Sequence, residues 1–238
     1  MRPSSVSVLL AAFAAFALGV ALPLEAQEAA PAEAVRCNEQ APQDFLVRGN
    51  WQVRRRMPAD EVTSRRALHQ RAIRYRTEQY GFFTGFGRAE WNANTPMENS
   101  AFARFAGLRV RLNRKIIPAV ACAEAEIARA CTATPYHPVR LSGIRDRNTY
   151  HNGEISNHTY GIALDIDPNR NTCCGCVAPW NEHPLCQREV ASIYERMVMP
   201  ECWVHAFEKY GFYWLGNDTL QDTMHFEFLG DPERIVAQ

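Results

Sequence analysis

The period of the apolar positions changes several times along this chain, and each change marks an element. From Val6 to Leu24 the run is apolar and small with no charge, preceded by Arg2 and closed by Leu24-Glu25-Ala26. This is the layout of a secretory signal peptide, with cleavage expected after Ala26. The run also has the length of an uncleaved anchor, but its Ala-rich make-up and the Ala/Glu/Pro-rich stretch behind it favour cleavage. Residues 27–44 offer little to bury and predict a flexible linker, with order beginning near Phe45. From Ser64 to Tyr80 the apolar residues Ala67, Leu68, Ala72, Ile73, Tyr75 and Tyr80 recur at helical spacing, and Gly81 ends the pattern.

Phe82 to Pro96 is aromatic and Gly-rich and predicts a loop whose rings plug the core. Leu108 to Ile117 alternates as a strand or a strand-helix junction, and Pro118 to Cys131 suits a helix opened by proline in its first turn. Thr134 to Gly153 is rich in turn formers. Gly161 to Ile166 then alternates as a strand with Asp165 near its exit. Gln187–Met199 and Glu201–Tyr210 predict helices, the second ended by Gly211. Thr223 to Leu229 closes the pattern as a strand with His225 and Glu227 on one face and Met224, Phe226 and Phe228 on the other. Together these elements predict an α+β fold: a small, mainly antiparallel sheet with helices. They divide residues 45–238 into an N-terminal helical, basic part (45–107) and a core (108–229), within a single domain.

Composition sharpens this picture in two places. All eight cysteines (Cys37, Cys122, Cys131, Cys173, Cys174, Cys176, Cys186 and Cys202) follow the export signal, and an even count in an oxidising compartment predicts disulfides. If Pro118 to Ala130 is one helix, Cys122 and Cys131 lie about 13 Å apart along its axis and cannot bond to each other. A structural zinc cluster built from Cys173, Cys174, Cys176 and Cys186 is a rival that lacks a second CxxC-type pair. The formal net charge of +0 hides a gradient: residues 45–115 carry 15 Arg/Lys against 5 Asp/Glu, and residues 116–238 carry 9 against 16. That gradient reads either as a dock for an anionic polymer or as solvated helix faces. Nucleic acid is not expected as a partner of an exported chain without a nucleic-acid motif.

The chemistry concentrates in two short segments. Ser156-Asn-His158-Thr-Tyr-Gly161-Ile-Ala163-Leu-Asp165 and Asp222-Thr-Met-His225-Phe-Glu227 supply three zinc-type ligands and spare carboxylates. A hydrolytic zinc site needs three protein ligands, leaves a fourth position for water and wants a nearby carboxylate to take that water's proton. His158, Asp165 and His225 meet the first need, and Asp222 meets the last. Gly161 allows a tight backbone turn between His158 and the strand bearing Asp165, and Ser156 can fix the loop by local hydrogen bonds. Glu227 shares a strand face with His225 and is placed to orient a ligand or bind a substrate amine. Asp165-x-Asp167-x-Asn169-x-Asn171 imitates the start of a calcium loop but carries Arg170 where Gly is wanted and Cys176 where Glu is wanted.

These segments resemble the M15 zinc D,D-peptidases, the group of VanY-type D-alanyl-D-alanine carboxypeptidases and L-alanyl-D-glutamate endopeptidases. The matching text is Ser156-x-His158-x-x-Gly161-x-Ala163-x-Asp165 and Asp222-x-x-His225-x-Glu227, supported by Phe207-Glu208-Lys209-Tyr210-Gly211-Phe212-x-Trp214. The resemblance covers about Leu108 to Leu229. It implies a hedgehog/DD-peptidase-like fold, Zn2+ held by His158, Asp165 and His225, Asp222 as general base where many relatives carry Glu, and an upstream arginine for the substrate carboxylate or oxyanion. Arg147 best matches that arginine, with Arg145 as competitor. It implies peptidoglycan stem peptides as partners, cleaved by a carboxypeptidase or an endopeptidase, with a non-catalytic zinc-containing wall-binding module as the alternative. The resulting expectation is a periplasmic or secreted protein with no stable membrane insertion once the signal is removed. Nothing in the pattern fixes an oligomeric state.

Overall fold

The computed structural model describes residues 36–150 and 153–237. The expected export signal, and the first part of the expected linker up to residue 35, lie outside the described residues. Among those described, no helix is long and apolar enough to cross a membrane.

The elements run α1 (Arg48–Trp51), α2 (Ala59–Tyr80), β1 (Ser100–Phe105), β2 (Leu108–Asn113), α3 (Ile117–Ala130), β3 (Leu141–Ser142), α4 (Asn157–Tyr160), β4 (Ala163–Ile166), α5 (Glu201–Glu208), β5 (Phe212–Trp214) and β6 (His225–Phe228). β1 and β2 form a hairpin, and the other strands form a four-stranded antiparallel sheet in the order β3-β4-β6-β5. The fold is α+β, as the sequence pattern indicates. Helix α2 begins five residues before the expected Ser64 and stops at Gly81, whose φ of 122° suits glycine.

Burial explains the sheet's orientation. Phe226 and Phe228 on β6 are fully buried, and Phe226 stacks on Phe207 of α5 at 4.4 Å while Phe228 meets Phe212 of β5 edge-on at 5.3 Å. That aromatic face is the expected core. The opposite face of β6, with His225 and Glu227, is buried as well, because α4 and the N-terminal helical part cover it. Asn113 at the end of β2 ties these pieces together: its Nδ2 donates to the carbonyls of Tyr80 at 3.0 Å and Tyr160 at 3.3 Å, and its backbone N–H donates to Gly161 O at 2.9 Å.

Two expectations are corrected. Residues 36–44 are not a free linker: Cys37 is bonded to Cys122, Asn38 N–H donates to Ile235 O, and Gln43 N–H donates to Leu229 O. Backbone pairing with the C-terminal segment fixes this stretch, which burial alone would not have done. Nor is Gln187–Met199 a helix; it folds as short 3-10 turns at Pro184–Gln187 and Ile193–Arg196. There the Arg196 guanidinium donates to the carbonyls of Leu185, Cys186 and Arg188, holding the segment in a ring that a helix could not form. Several arginines of the basic half serve the fold itself. Arg65 donates to Gly49 O, Asn50 O and Gln52 O, Arg71 covers the Phe45 ring, and Arg109 covers Phe102.

The eight cysteines pair as Cys37–Cys122, Cys131–Cys202, Cys173–Cys176 and Cys174–Cys186. Cys122 and Cys131 take separate partners, as the length of α3 requires, and the four clustered cysteines form two disulfides where the zinc cluster would have stood. The sequence separations of 85 for Cys37–Cys122 and 3 for Cys173–Cys176 set their contributions apart. Replacing both cysteines of the long-range pair by serine should cost about 4 to 5 kcal/mol, and replacing the short-range pair about 2 kcal/mol. Denaturant unfolding of the two double variants checks the order; equal losses would contradict it.

Candidate metal centre

The site begins with a single helical turn. Ser156 caps α4, its Oγ accepting from His158 N–H at 3.4 Å, and Gly161 closes the turn in the left-handed conformation at φ 72°. A Cβ at position 161 would come within 2.9 Å of the Asn113 nitrogen, so glycine is required by both conformation and space. The loop before α4 is held by Asn148, whose Oδ1 accepts from the N–H groups of Tyr150 and Ser156 and whose Nδ2 donates to Glu154 O at 2.7 Å.

Asp165 and His225 arrive from the sheet. β4 and β6 pair with Asp165 opposite His225 and Ala163 opposite Glu227, so cross-strand neighbours project from the same face. Because side chains alternate along β6, Glu227 sits beside His225 on that face, while Ala163 is small enough to leave room. His158 Nδ1 bonds Gly143 O at 2.6 Å, which directs Nε2 inward as a lone pair. Three donor atoms then converge: His158 Nε2 lies 3.0 Å from Asp165 Oδ1 and 3.1 Å from His225 Nδ1, and the last two are 2.7 Å apart. Tetrahedral zinc with N and O ligands at about 2.0–2.2 Å spaces its donors roughly 3.3–3.5 Å apart. A few tenths of an ångström of expansion would admit the ion, and two imidazoles with one carboxylate form a zinc-type donor set.

The surrounding charges favour a cation at this point. Burial would raise the Asp165 carboxyl, but His158 and His225 hold it well below the usual carboxylate range. Burial opposes a charge on His225, yet hydrogen bonds to Asp165 and Glu227 hold its pKa well above the ordinary histidine value. Burial pushes His158 the other way, down and neutral. The carboxylates that favour a charge on His225 would equally favour a bound cation, and a metal on His225 would compete there with a proton.

Around the three donors stand the remaining candidates. Arg145 Nη2 donates to Asp165 Oδ2 at 2.7 Å, fixing the carboxylate so that Oδ1 faces the histidines. Arg147 is exposed, and among the described residues it makes no hydrogen bond or ion pair. Glu227 Oε1 accepts from His225 Nε2 at 3.1 Å, and its carboxyl is held down by His225, Arg76 and a hydrogen bond to Asn157 in spite of burial. Asp222 is half-buried, and its Oδ1 is out of contact with solvent and, among the described residues, without a hydrogen-bond partner. Burial, with Asp165 and Glu227 nearby, pushes it up to about 7.

Sequence reasoning missed several supporting residues. Gly143 and Asn148 act through backbone geometry and local hydrogen bonds, which leave no periodic signal. Arg76 of α2 is fully buried, donates Nη2 to Leu46 O at 3.1 Å and lies close enough to Glu227 to hold its charge. Only its place on a helix otherwise read as amphipathic could have hinted at burial. The calcium-loop imitation is occupied by protein donors: Asp167 accepts from Tyr136 Oη at 2.6 Å and from the N–H groups of Val139 and Arg140, both at 2.8 Å.

The Asp222 shift carries a stability consequence. Its folded pKa of about 7 lies above the unfolded value of ~3.9, so the protonated form's stabilisation is full below that lower value and is lost as pH rises through the folded pKa. Metal-free wild type should therefore weaken between pH 4 and 8 by an amount on the order of 2 kcal/mol, and Asp222→Asn should lack that component. Denaturant unfolding in chelator at pH 5 and pH 8 makes the comparison, and parallel pH curves for both proteins would refute it.

Comparison with known proteins agrees with this geometry. No curated protein and no solved structure matches the chain. Residues 150–228 match the M15 peptidase family model described as D-alanyl-D-alanine carboxypeptidase. The matched segment carries Ser156, His158, Asp165, Asp222, His225 and Glu227, and leaves Arg145, Arg147 and Arg76 outside. By that match the segment that carries His158, Asp165 and His225 is similar to the M15 peptidase family.

Proposed function

We propose that this protein is an exported zinc metallopeptidase that cleaves the stem peptides of peptidoglycan, as a D,D-carboxypeptidase or endopeptidase. One observation carries the reading. Three donor atoms of zinc type converge within 3.1 Å of one another, and a carboxylate oxygen without a hydrogen-bond partner among the described residues stands three residues before the last of them. A purely structural metal site is closed by a fourth protein ligand, whereas a catalytic one leaves a position open and needs a proton acceptor beside it.

His158, Asp165 and His225 would hold the ion. Bound there, zinc would supply Lewis acidity, which would acidify water and polarise a substrate carbonyl. Asp222 takes the proton of the attacking water at its Oδ1 and returns it to the leaving amine, the double role of a general base and acid. Arg145 keeps Asp165 oriented. Arg147 meets the substrate carboxylate or the developing oxyanion, and its exposure leaves the guanidinium open to a ligand. Glu227, with Arg76 and Asn157 behind it, sets the ring orientation of His225 through Nε2. The stem peptide as substrate follows from the family description, and its terminal carboxylate matches an open arginine.

The test is a side-by-side series. Incubated with purified stem peptides, the protein should release products identifiable by mass, and chelator should stop it. His158→Ala or His225→Ala should lose the zinc, whereas Asp222→Asn should keep it and lose ~10²- to 10⁴-fold in turnover. Arg145→Ala and Glu227→Gln should instead weaken metal affinity by about 10- to 100-fold. Full zinc content with no cleavage of any stem peptide would favour a wall-binding module. Near-normal turnover in Asp222→Asn would move the base elsewhere.

A further inference from the structure

Beside the candidate centre lies a second group of ligand atoms, two of which, the cysteine sulfurs, the proposed reaction does not use. The Sγ atoms of Cys173 and Cys176 and a carboxylate oxygen of Asp222 all lie within 4.8 Å of one another. The placement is built into the backbone. Residues 172–175 run antiparallel to 220–223: Thr223 N–H donates to Thr172 O at 2.7 Å, Cys174 N–H to Gln221 O at 3.2 Å and Gly175 N–H to Leu220 O at 2.6 Å, with Cys173 bridged to Asp222. This ribbon presents a Cys-x-x-Cys pair directly to the proposed base. Among the described residues Asp222 Oδ1 has no hydrogen-bond partner there.

We infer that Cys173, Cys176 and Asp222 form a second divalent-cation site, closed while the disulfide is intact and opened by a dithiol reductant, whose occupation removes Asp222 from service. The inference rests on the proposed function only for the role of Asp222. As a ligand set, two thiolates and one carboxylate suit zinc, which binds sulfur at about 2.3 Å and carboxylate oxygen at about 2.0–2.2 Å, with water completing the tetrahedron. In the disulfide neither sulfur carries the thiolate that binds metal, so the site exists only after reduction.

The electron balance is that of thiol–disulfide exchange. A thiolate of the reductant attacks Sγ of the half-buried Cys176, the S–S bond breaks, and its electron pair leaves on Cys173 Sγ, which is buried. The reductant's second thiolate then displaces Cys176, so the reductant becomes a disulfide and the protein gains two electrons and two protons. Zinc binding expels those two protons to solvent. The bridge closes a loop of sequence separation 3, against 85 for Cys37–Cys122. In the chain-entropy picture the short loop contributes least to stability, and the backbone hydrogen bonds of the ribbon do not involve the sulfurs.

The experiment counts zinc per chain in the oxidised protein and after limited reduction by a dithiol. A parallel aliquot is alkylated and mapped to select conditions where Cys173 and Cys176 alone are free. The count should rise from one to two, and with cobalt in place of zinc a sulfur-to-cobalt charge-transfer band should appear only after reduction. The double variant His158→Ala/His225→Ala should rise from zero to one, which separates this site from the proposed catalytic one. Cys173→Ser/Cys176→Ser should hold one zinc in both states, and Asp222→Asn should weaken the second ion at least tenfold. In the reduced wild type, occupation of the second site should lower turnover at least tenfold. No added zinc and no cobalt band in protein mapped as reduced at Cys173 and Cys176 would overturn the site. An added zinc unaffected by Asp222→Asn would overturn its link to the base.

Discussion

The pairing of β4 with β6 is the constraint on which the site depends. Asp165 faces His225 across two antiparallel strands because the register sets Ala163 against Glu227 and Leu164 against Phe226. A slip of one residue would turn every side chain to the other face, sending the metal-type donors into the aromatic core and the phenylalanines into the site. The register is held by burial on both sides. Phe226 and Phe228 lock into the rings of Phe207 and Phe212, while His225 and Glu227 are buried against α4 and the N-terminal helical part. The core thus specifies the site by specifying which face of β6 it takes.

Burial of that polar face is costly for an isolated charge, and the chain answers with an arrangement that alternates in sign. Asp165 is met by Arg145, His158 and His225; His225 is met in turn by Glu227; and Glu227 is met by Asn157 and the buried Arg76. Removing one member leaves its neighbour as an uncompensated buried charge, which costs more than the pair's own attraction returns. Arg76 comes from α2, outside the matched family segment. The N-terminal helical part is therefore an electrical support of the candidate site as well as a cover, and Arg65 and Arg71 act there through capping and packing.

Disulfides set the frame around this network. Cys37–Cys122 anchors the N-terminal stretch to α3, and Cys131–Cys202 joins the end of α3 to α5, which carries Phe207. The Cys173–Cys176 and Cys174–Cys186 bridges bind the ribbon that lies along residues 220–223. Asp222 thus reaches its place from a segment with almost no regular secondary structure, and cross-links with backbone pairing supply there the rigidity that a helix or strand supplies to the other donors.

Much of the site was legible in the sequence because its information is local. Ser156, His158, Gly161 and Asp165 fall within one turn and one strand, and the alternation of β6 separates His225 and Glu227 from the phenylalanines without knowledge of the fold. The end of α2 at Gly81 and the separate partners of Cys122 and Cys131 follow from helix geometry in the same way. What the sequence could not determine are contacts between segments distant along the chain. The packing of residues 36–44 on the C-terminal strand partners, the ring around Arg196 in place of a helix, the choice of Arg145 to grip Asp165 and the burial of Arg76 behind Glu227 all depend on partners that no local period encodes. Local period and turn chemistry fix which residues share a face; only closure of the chain decides which faces meet, and with it which charges must be paired.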